Sequence, residues 1–212
     1  MNVDFGYLFV VLGVVLVSMI LHELMHGATA YWLGDDTAKA NGRLSLNPLK
    51  HLDPFMSVLL PMLLAISGGP IFGGAKPVPI DGRRLKWREW GMALVAIAGP
   101  VTNFLIALVA FLVGHFTGLL YTGGYGGLIC ARFVLVNLGF MVFNLIPIPP
   151  LDGSRVLYAL APESVQRVMM NMERYGIMIV LILVMVFGGV FTNIMQGAIL
   201  GILRFFELIV GL

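Results

Sequence analysis

The residues with the clearest chemical potential are two histidines and a glutamate inside the first apolar run. His22, Glu23 and His26 form the pattern H-E-x-x-H. On a helix, residues four apart share a face, so both imidazoles reach one metal ion, while Glu23 lies about 100° around the axis and approaches a water molecule. Such groups are costly in an apolar segment. The pattern therefore favours a hydrolytic zinc site over polar groups that only pair with one another or lie at the membrane interface.

A catalytic zinc site holds three protein ligands and a water molecule, so a third ligand is needed. The candidates are His51, His115, Asp53, Asp81 and Asp152. Asp152 is the most constrained, because the prolines before it fix the approach of the chain and Gly153 permits close backbone packing. The same segment is also compatible with an ordinary turn in which the aspartate caps a helix. His51 precedes Asp53 and is a further residue that would reach the site.

The elements that must position these residues are apolar. The chain has 212 residues, of which 59% are hydrophobic and 11% charged, against roughly 25% charged in a soluble domain. Segments 5–21, 91–131, 133–151 and 175–203 contain no Asp, Glu, Lys or Arg, and each is long enough to cross or nearly cross a bilayer. This excludes a soluble globular protein. We expect a single-domain, all-α polytopic membrane protein, residues 1–212, with about five transmembrane helices.

Charge and cysteine content exclude further classes of protein. The net charge of +2 is too small to indicate nucleic-acid binding, and the single Cys130 excludes an intramolecular disulfide or a cysteine-based zinc cluster. The first apolar run has no basic region before it and no small-residue cleavage site, so we expect it to be retained. We expect the last apolar region, 175–212, to divide near Gly188 and Gly189.

The apolar run 55–72, with Pro61 near its centre, decides the topology. If it crosses the membrane fully, Asp152 lies on the face opposite the end of the first helix, and no shared metal site forms. If it returns around Pro61, three segments lie on one side of the membrane: 34–52, 73–90 and 149–174. These segments hold 11 of the 13 Lys and Arg residues, and the positive-inside rule places them in the cytoplasm. We therefore predict a re-entrant hairpin near 55–72 and a site toward the cytoplasmic side.

Taken in order, these motifs resemble the site-2 protease family of intramembrane zinc metalloproteases. The matching residues are His22, Glu23 and His26, then Ala98, Gly99, Pro100 and Asn103, then Asn144 eight residues before Asp152 in a Leu-Asp-Gly element. The resemblance covers about residues 15–160. It extends to the compact prokaryotic branch of the family, without PDZ or CBS domains.

The resemblance implies one zinc ion per chain, held by His22, His26 and Asp152. It further implies Glu23 as the general base and Asn144 as the residue that places the substrate or stabilises the oxyanion. The implied reaction is hydrolysis of peptide bonds within or near transmembrane segments of membrane-protein substrates. Regulated intramembrane proteolysis in the plasma membrane of a prokaryote is the implied setting.

Two alternatives use the same residues. A metal transporter would use His22, His26 and Asp152 as a transit site, although no inverted repeat is apparent and such a site does not need Glu23. An inactive relative would bind membrane segments without cutting them, which the intact Glu23 argues against.

Two further elements have expected roles around the site. The Pro-rich segment 75–80, which includes Lys76, is expected to be extended and to pair with an unwound substrate helix by strand addition. Gly99 and Gly139 indicate close helix packing.

Overall fold

The computed structural model describes residues 5–54, 59 and 74–211, and these residues are mainly helical. The helices are α1 (Phe5–Trp32), α2 (Thr37–Ala40), α3 (Arg88–Phe116), α4 (Tyr125–Asn144), α5 (Asp152–Leu160), α6 (Glu163–Glu173), α7 (Gly176–Val186) and α8 (Gly188–Val210). A helix satisfies its own backbone hydrogen bonds, as an apolar segment in lipid must. The expected all-α class is confirmed for the described residues.

Four of these helices are long and apolar enough to cross a membrane: α1, α3, α4 and α8. The pair α6 and α7, bent by 83° at their junction, would make a fifth span if counted as one. This agrees with the prediction of about five transmembrane helices. The division of the last apolar region is also confirmed, because α7 ends at Val186 and α8 begins at Gly188. The hairpin predicted near 55–72 lies outside the described residues, apart from Leu59.

Helix α3 is the centre of the described bundle and packs against α1, α4 and α5. Its C-terminal half contributes to an apolar cluster with α4 and α8: Ala107, Phe111, Val134, Leu138 and Phe206. Its N-terminal half contributes to a second cluster with the end of α1 and the following loop: Ala30, Leu33, Leu85 and Val95. His22, Glu23 and His26 lie on α1 just N-terminal to the residues of the second cluster, in the region where α1 packs against α3.

The loops that follow α1 and precede α3 are hydrogen-bonded to one another. The bonds run from Lys86 N–H to the Leu33 carbonyl at 2.9 Å, from Asp81 N–H to Asp35 Oδ2 at 2.7 Å, and from Lys76 N–H to the His51 carbonyl at 2.8 Å. The C-terminal end of α1 and the N-terminal end of α3 therefore lie on the same side of the bundle. Because α4 runs back from the far end of α3, α5 begins on that side as well.

A candidate metal centre

The two histidines of the motif lie on one face of α1, one turn apart. Both are largely buried, with 7% of His22 and 6% of His26 exposed. Their Nε2 atoms are 3.0 Å apart, and the rings meet edge to face at 4.5 Å between centroids. The i, i+4 spacing on a continuous helix thus directs both imidazoles toward one point.

Asp152, the first residue of α5, reaches the same point from the other end of the sequence. Its Oδ2 lies 3.2 Å from His22 Nε2 and 3.4 Å from His26 Nε2. The close turn before α5 depends on Gly153, because a Cβ there would overlap the Leu145 carbonyl. Among the described residues, His22, His26 and Asp152 form the group that would hold a metal ion, with ligand atoms within 4.8 Å of one another.

The hydrogen atoms on the two imidazoles point away from this group. His26 Nδ1 lies 2.7 Å from the Val95 carbonyl and His22 Nδ1 lies 2.5 Å from Asn103 Oδ1. Both partners are acceptors, so each Nδ1 donates, and in the neutral ring each Nε2 carries the lone pair. Among the described residues, none donates a hydrogen bond to the buried Asp152 Oδ2. With both rings neutral, two nitrogen lone pairs and a carboxylate oxygen converge on one point, and this donor set fits zinc.

Gly99 explains how α3 comes so close to the two imidazoles. A Cβ at this position would lie 2.5 Å from His22 Cε1 and 2.5 Å from His26 Nε2. The prediction of close packing at Gly99 is therefore confirmed. At Gly139 on α4, a Cβ would meet no described residue within 4 Å, so close packing there stays a prediction.

Glu23 is half-buried and lies beside segment 74–81, which precedes α3 and has no regular secondary structure. Its Oε2 accepts a hydrogen bond of 3.0 Å from the Val78 N–H. On the same segment, the Lys76 N–H donates to the His51 carbonyl, and the Lys76 carbonyl accepts from Arg43. Two of the backbone N–H groups predicted to pair with a substrate strand are thus already bonded within the protein.

The other candidate ligands lie outside the His22, His26 and Asp152 group. His51 is fully buried and its Nε2 is 2.6 Å from the Ser45 carbonyl. His115, near the opposite end of α3, contacts the Tyr121 hydroxyl at 2.8 Å.

Asp81 and Asp53 also lie outside that group. The hydrogen bonds that Arg83 donates to Asp81 hold the pKa of this carboxyl below its usual range, so its negative charge is already matched by a cation.

Asn144, the last residue of α4, donates a 3.0 Å hydrogen bond from Nδ2 to the Phe140 carbonyl of its own helix. Its role toward substrate stays a prediction.

Three polar residues that sequence reasoning left without a role lie behind the imidazoles. Asn103, Asn137 and Ser18 are each fully buried, and Asn103 contacts His22 directly. Asn103 belongs to the family motif, whereas the signal for Asn137 and Ser18 is that they are polar residues in apolar spans, which is costly unless they are paired.

Comparison with known proteins finds relatives that carry the provisional name zinc metalloprotease. YwhC of Bacillus subtilis is 40% identical over 179 residues, which cover 79% of this chain and 76% of YwhC. Rip2 of Mycolicibacterium smegmatis is 32% identical, with 84% of this chain and 67% of Rip2 covered. Rip2 of Mycobacterium tuberculosis is 31% identical, with 79% and 63% covered. No protein-family model and no solved structure matches the chain significantly.

Proposed function

The chain belongs to the site-2 protease family of zinc metalloproteases, and from this premise we propose that it is an intramembrane endopeptidase. Its substrates are membrane proteins, which it hydrolyses within or near their transmembrane segments. The observation that carries the proposal is the convergence of His22, His26 and Asp152 beside Glu23, inside a bundle of membrane-spanning length. A soluble protease would not need to bury its zinc motif in an apolar span.

In this proposal, His22, His26 and Asp152 hold one zinc ion per chain. Zinc, when bound by these ligands, polarises the scissile carbonyl and acidifies the attacking water. Glu23 acts as the general base: it takes a proton from that water and passes it to the leaving nitrogen. The Val78 N–H fixes Oε2 of Glu23, which leaves Oε1 for the proton. Asn144, at the end of α4 near the turn that leads to Asp152, orients the substrate.

We place the site toward the cytoplasmic side of a prokaryotic plasma membrane. The support is the charge distribution, because 11 of the 13 Lys and Arg residues lie in segments 34–52, 73–90 and 149–174. Basic residues beside transmembrane helices mark the cytoplasmic face. A cut at this depth would release a soluble fragment into the cytoplasm, as regulated intramembrane proteolysis requires.

The proposal is tested by comparing the membrane proteomes of cells that carry the wild-type protein or Glu23→Gln at equal abundance. We expect at least one membrane protein to accumulate uncut in the Glu23→Gln cells and to be cleaved again when the wild-type protein is restored. Identical proteomes would contradict the proposal.

A metal transporter is the competing function. Purified protein in proteoliposomes separates the two, since transport gives zinc uptake that does not depend on Glu23 as a base. Zinc uptake in the absence of any cleaved substrate would overturn the protease proposal.

A further inference from the structure

Behind the candidate metal centre, a chain of buried side chains links three helices. Asn103 Nδ2 donates to Asn137 Oδ1 at 2.7 Å. Asn137 Nδ2 in turn donates to Ser18 Oγ and to the Phe133 carbonyl, each at 2.8 Å. This series of hydrogen bonds therefore connects α3, α4 and α1. It reaches the metal centre where Asn103 Oδ1 meets His22 Nδ1.

The spacing of these residues matches the way α1 and α3 face each other. On α1, Ser18, His22 and His26 are four residues apart and share a face. On α3 the residues that meet this face are also four apart: Val95, Gly99 and Asn103. The glycine removes the side chain at the point of closest approach, and the residues on either side of it each meet one imidazole.

The Phe133 carbonyl, at one end of this series of hydrogen bonds, sets the direction of the bonds between Asn137, Asn103 and His22. The Phe133 carbonyl can only accept, so the Asn137 amide must turn Nδ2 toward it and Oδ1 toward Asn103. Oδ1 can only accept, so Asn103 must present Nδ2 to it and Oδ1 to His22. His22 must then carry a proton on Nδ1, and in the neutral ring the lone pair is on Nε2, which faces Asp152.

The two histidines thus reach the same tautomer by different means. His26 Nδ1 lies 2.7 Å from the backbone carbonyl of Val95, which no side-chain substitution removes. His22 depends on two amide side chains, each fully buried. Loss of a hydrogen-bond partner of a metal-binding histidine commonly weakens metal affinity about 10–100-fold.

We propose that Asn137 is a positioning residue that acts through Asn103 to hold His22 in the tautomer that binds metal. This inference rests on the proposed zinc site. Ser18 has a smaller part, because its hydroxyl accepts from the second Asn137 Nδ2 hydrogen while the Phe133 carbonyl already fixes the orientation of that amide.

The test is the zinc affinity of purified protein, measured by competition with a chelator of known Kd. Asn137→Leu keeps the size of the side chain and removes the amide, and we expect zinc to bind about 10–100-fold more weakly. Ser18→Ala should change the affinity far less. The matched control is Thr102→Val, since Thr102 precedes Asn103 on α3 and its hydroxyl donates to the Ala98 carbonyl of the same helix; it should bind zinc as the wild type does.

A second pair of variants separates positioning from a general loss of packing. Asn103→Asp retains an acceptor for His22 Nδ1 and no longer needs Asn137 to orient it. In the Asn103→Asp background, Asn137→Leu should therefore cause little further loss of zinc affinity. An equal loss in both backgrounds would mean that Asn137 acts only through packing, and would overturn the inference.

The tautomer itself is visible in the nitrogen-15 chemical shifts of the His22 ring in zinc-free protein. We expect the proton on Nδ1 in the wild type and a mixture of tautomers in Asn137→Leu. Wild-type affinity in Asn137→Leu, or a wild-type His22 ring without a proton on Nδ1, would overturn this inference while leaving the zinc site in place. Failure of the wild-type protein to bind zinc would instead overturn the proposed function.

Discussion

Helices α3 and α8 are both apolar and of membrane-spanning length, with mean hydropathies of 2.2 and 1.5, yet their surroundings are opposite. Of the apolar stretch of each helix, 39% is buried within the protein in α3 and 6% in α8. Helix α3 places Gly99 and Asn103 against the imidazoles, whereas the buried residue of α8 is Phe206. Apolar length thus identifies a span, but small and polar residues on one face identify the span that builds the site.

The largest difference between α3 and α8 is expected when one methyl group is added to each helix. Gly99→Ala would place a Cβ 2.5 Å from both imidazoles, whereas Gly201→Ala on α8 would meet no described residue within 4 Å. We expect Gly99→Ala to reduce zinc affinity and cleavage on the order of 100-fold, the upper range for disturbed ligand orientation. Gly201→Ala should leave both unchanged. Chelator competition and cleavage assays on the purified variants measure the difference, and equal effects would remove the distinction between the two helices.

A second prediction concerns the segment that precedes α3. Val78→Pro removes the N–H that Glu23 Oε2 accepts, while Val78→Ala shortens the side chain and keeps that N–H. A hydrogen bond to a charged group contributes about 1.5–3 kcal/mol, so kcat should fall roughly 10-fold or more in Val78→Pro. Zinc content should be unchanged in both variants. If Val78→Ala lowers kcat as much as Val78→Pro, the side chain and not the backbone bond is responsible.

The smallest effect on chemistry is expected from the attachment of α8. Phe206 is fully buried beside Phe104 and Phe111, with ring centroids 5.4 and 5.5 Å away. Phe206→Ala should lower the Tm of the detergent-solubilised protein. The loss of unfolding free energy should be below the roughly 3–5 kcal/mol typical of Phe→Ala in soluble cores. The reason is that lipid or detergent also solvates the Phe206 ring when α8 detaches. Zinc affinity should stay at the wild-type value, and a large loss of zinc would show that α8 supports the site.

Side-chain type and spacing predict much of the site. His22 and His26 are one helical turn apart, so their convergence follows from helix geometry alone. The approach of Asp152 follows from the topology that the basic loops indicate, and the structure brings it within 3.4 Å of both imidazoles.

Other parts of the site depend on how each helix is rotated about its axis and on which helices are in contact. Sequence patterns do not specify either. Gly99 and Gly139 carry the same signal, but only Gly99 faces a neighbour in the described residues. Asn103 and Asn137 are 34 residues apart and meet only because α3 and α4 pack together. The bond from Val78 to Glu23 uses a backbone N–H, which every residue except proline has, so no residue type marks it.

The central claim is that His22, His26 and Asp152 hold zinc while Glu23 acts on water without holding it. The most direct measurement is the zinc content per chain of purified wild-type, Glu23→Gln and Asp152→Asn proteins, together with their cleavage of a membrane substrate. We predict one zinc ion per chain in the wild type and in Glu23→Gln, little zinc in Asp152→Asn, and cleavage by the wild type alone. Full zinc content and cleavage in Asp152→Asn would contradict the account.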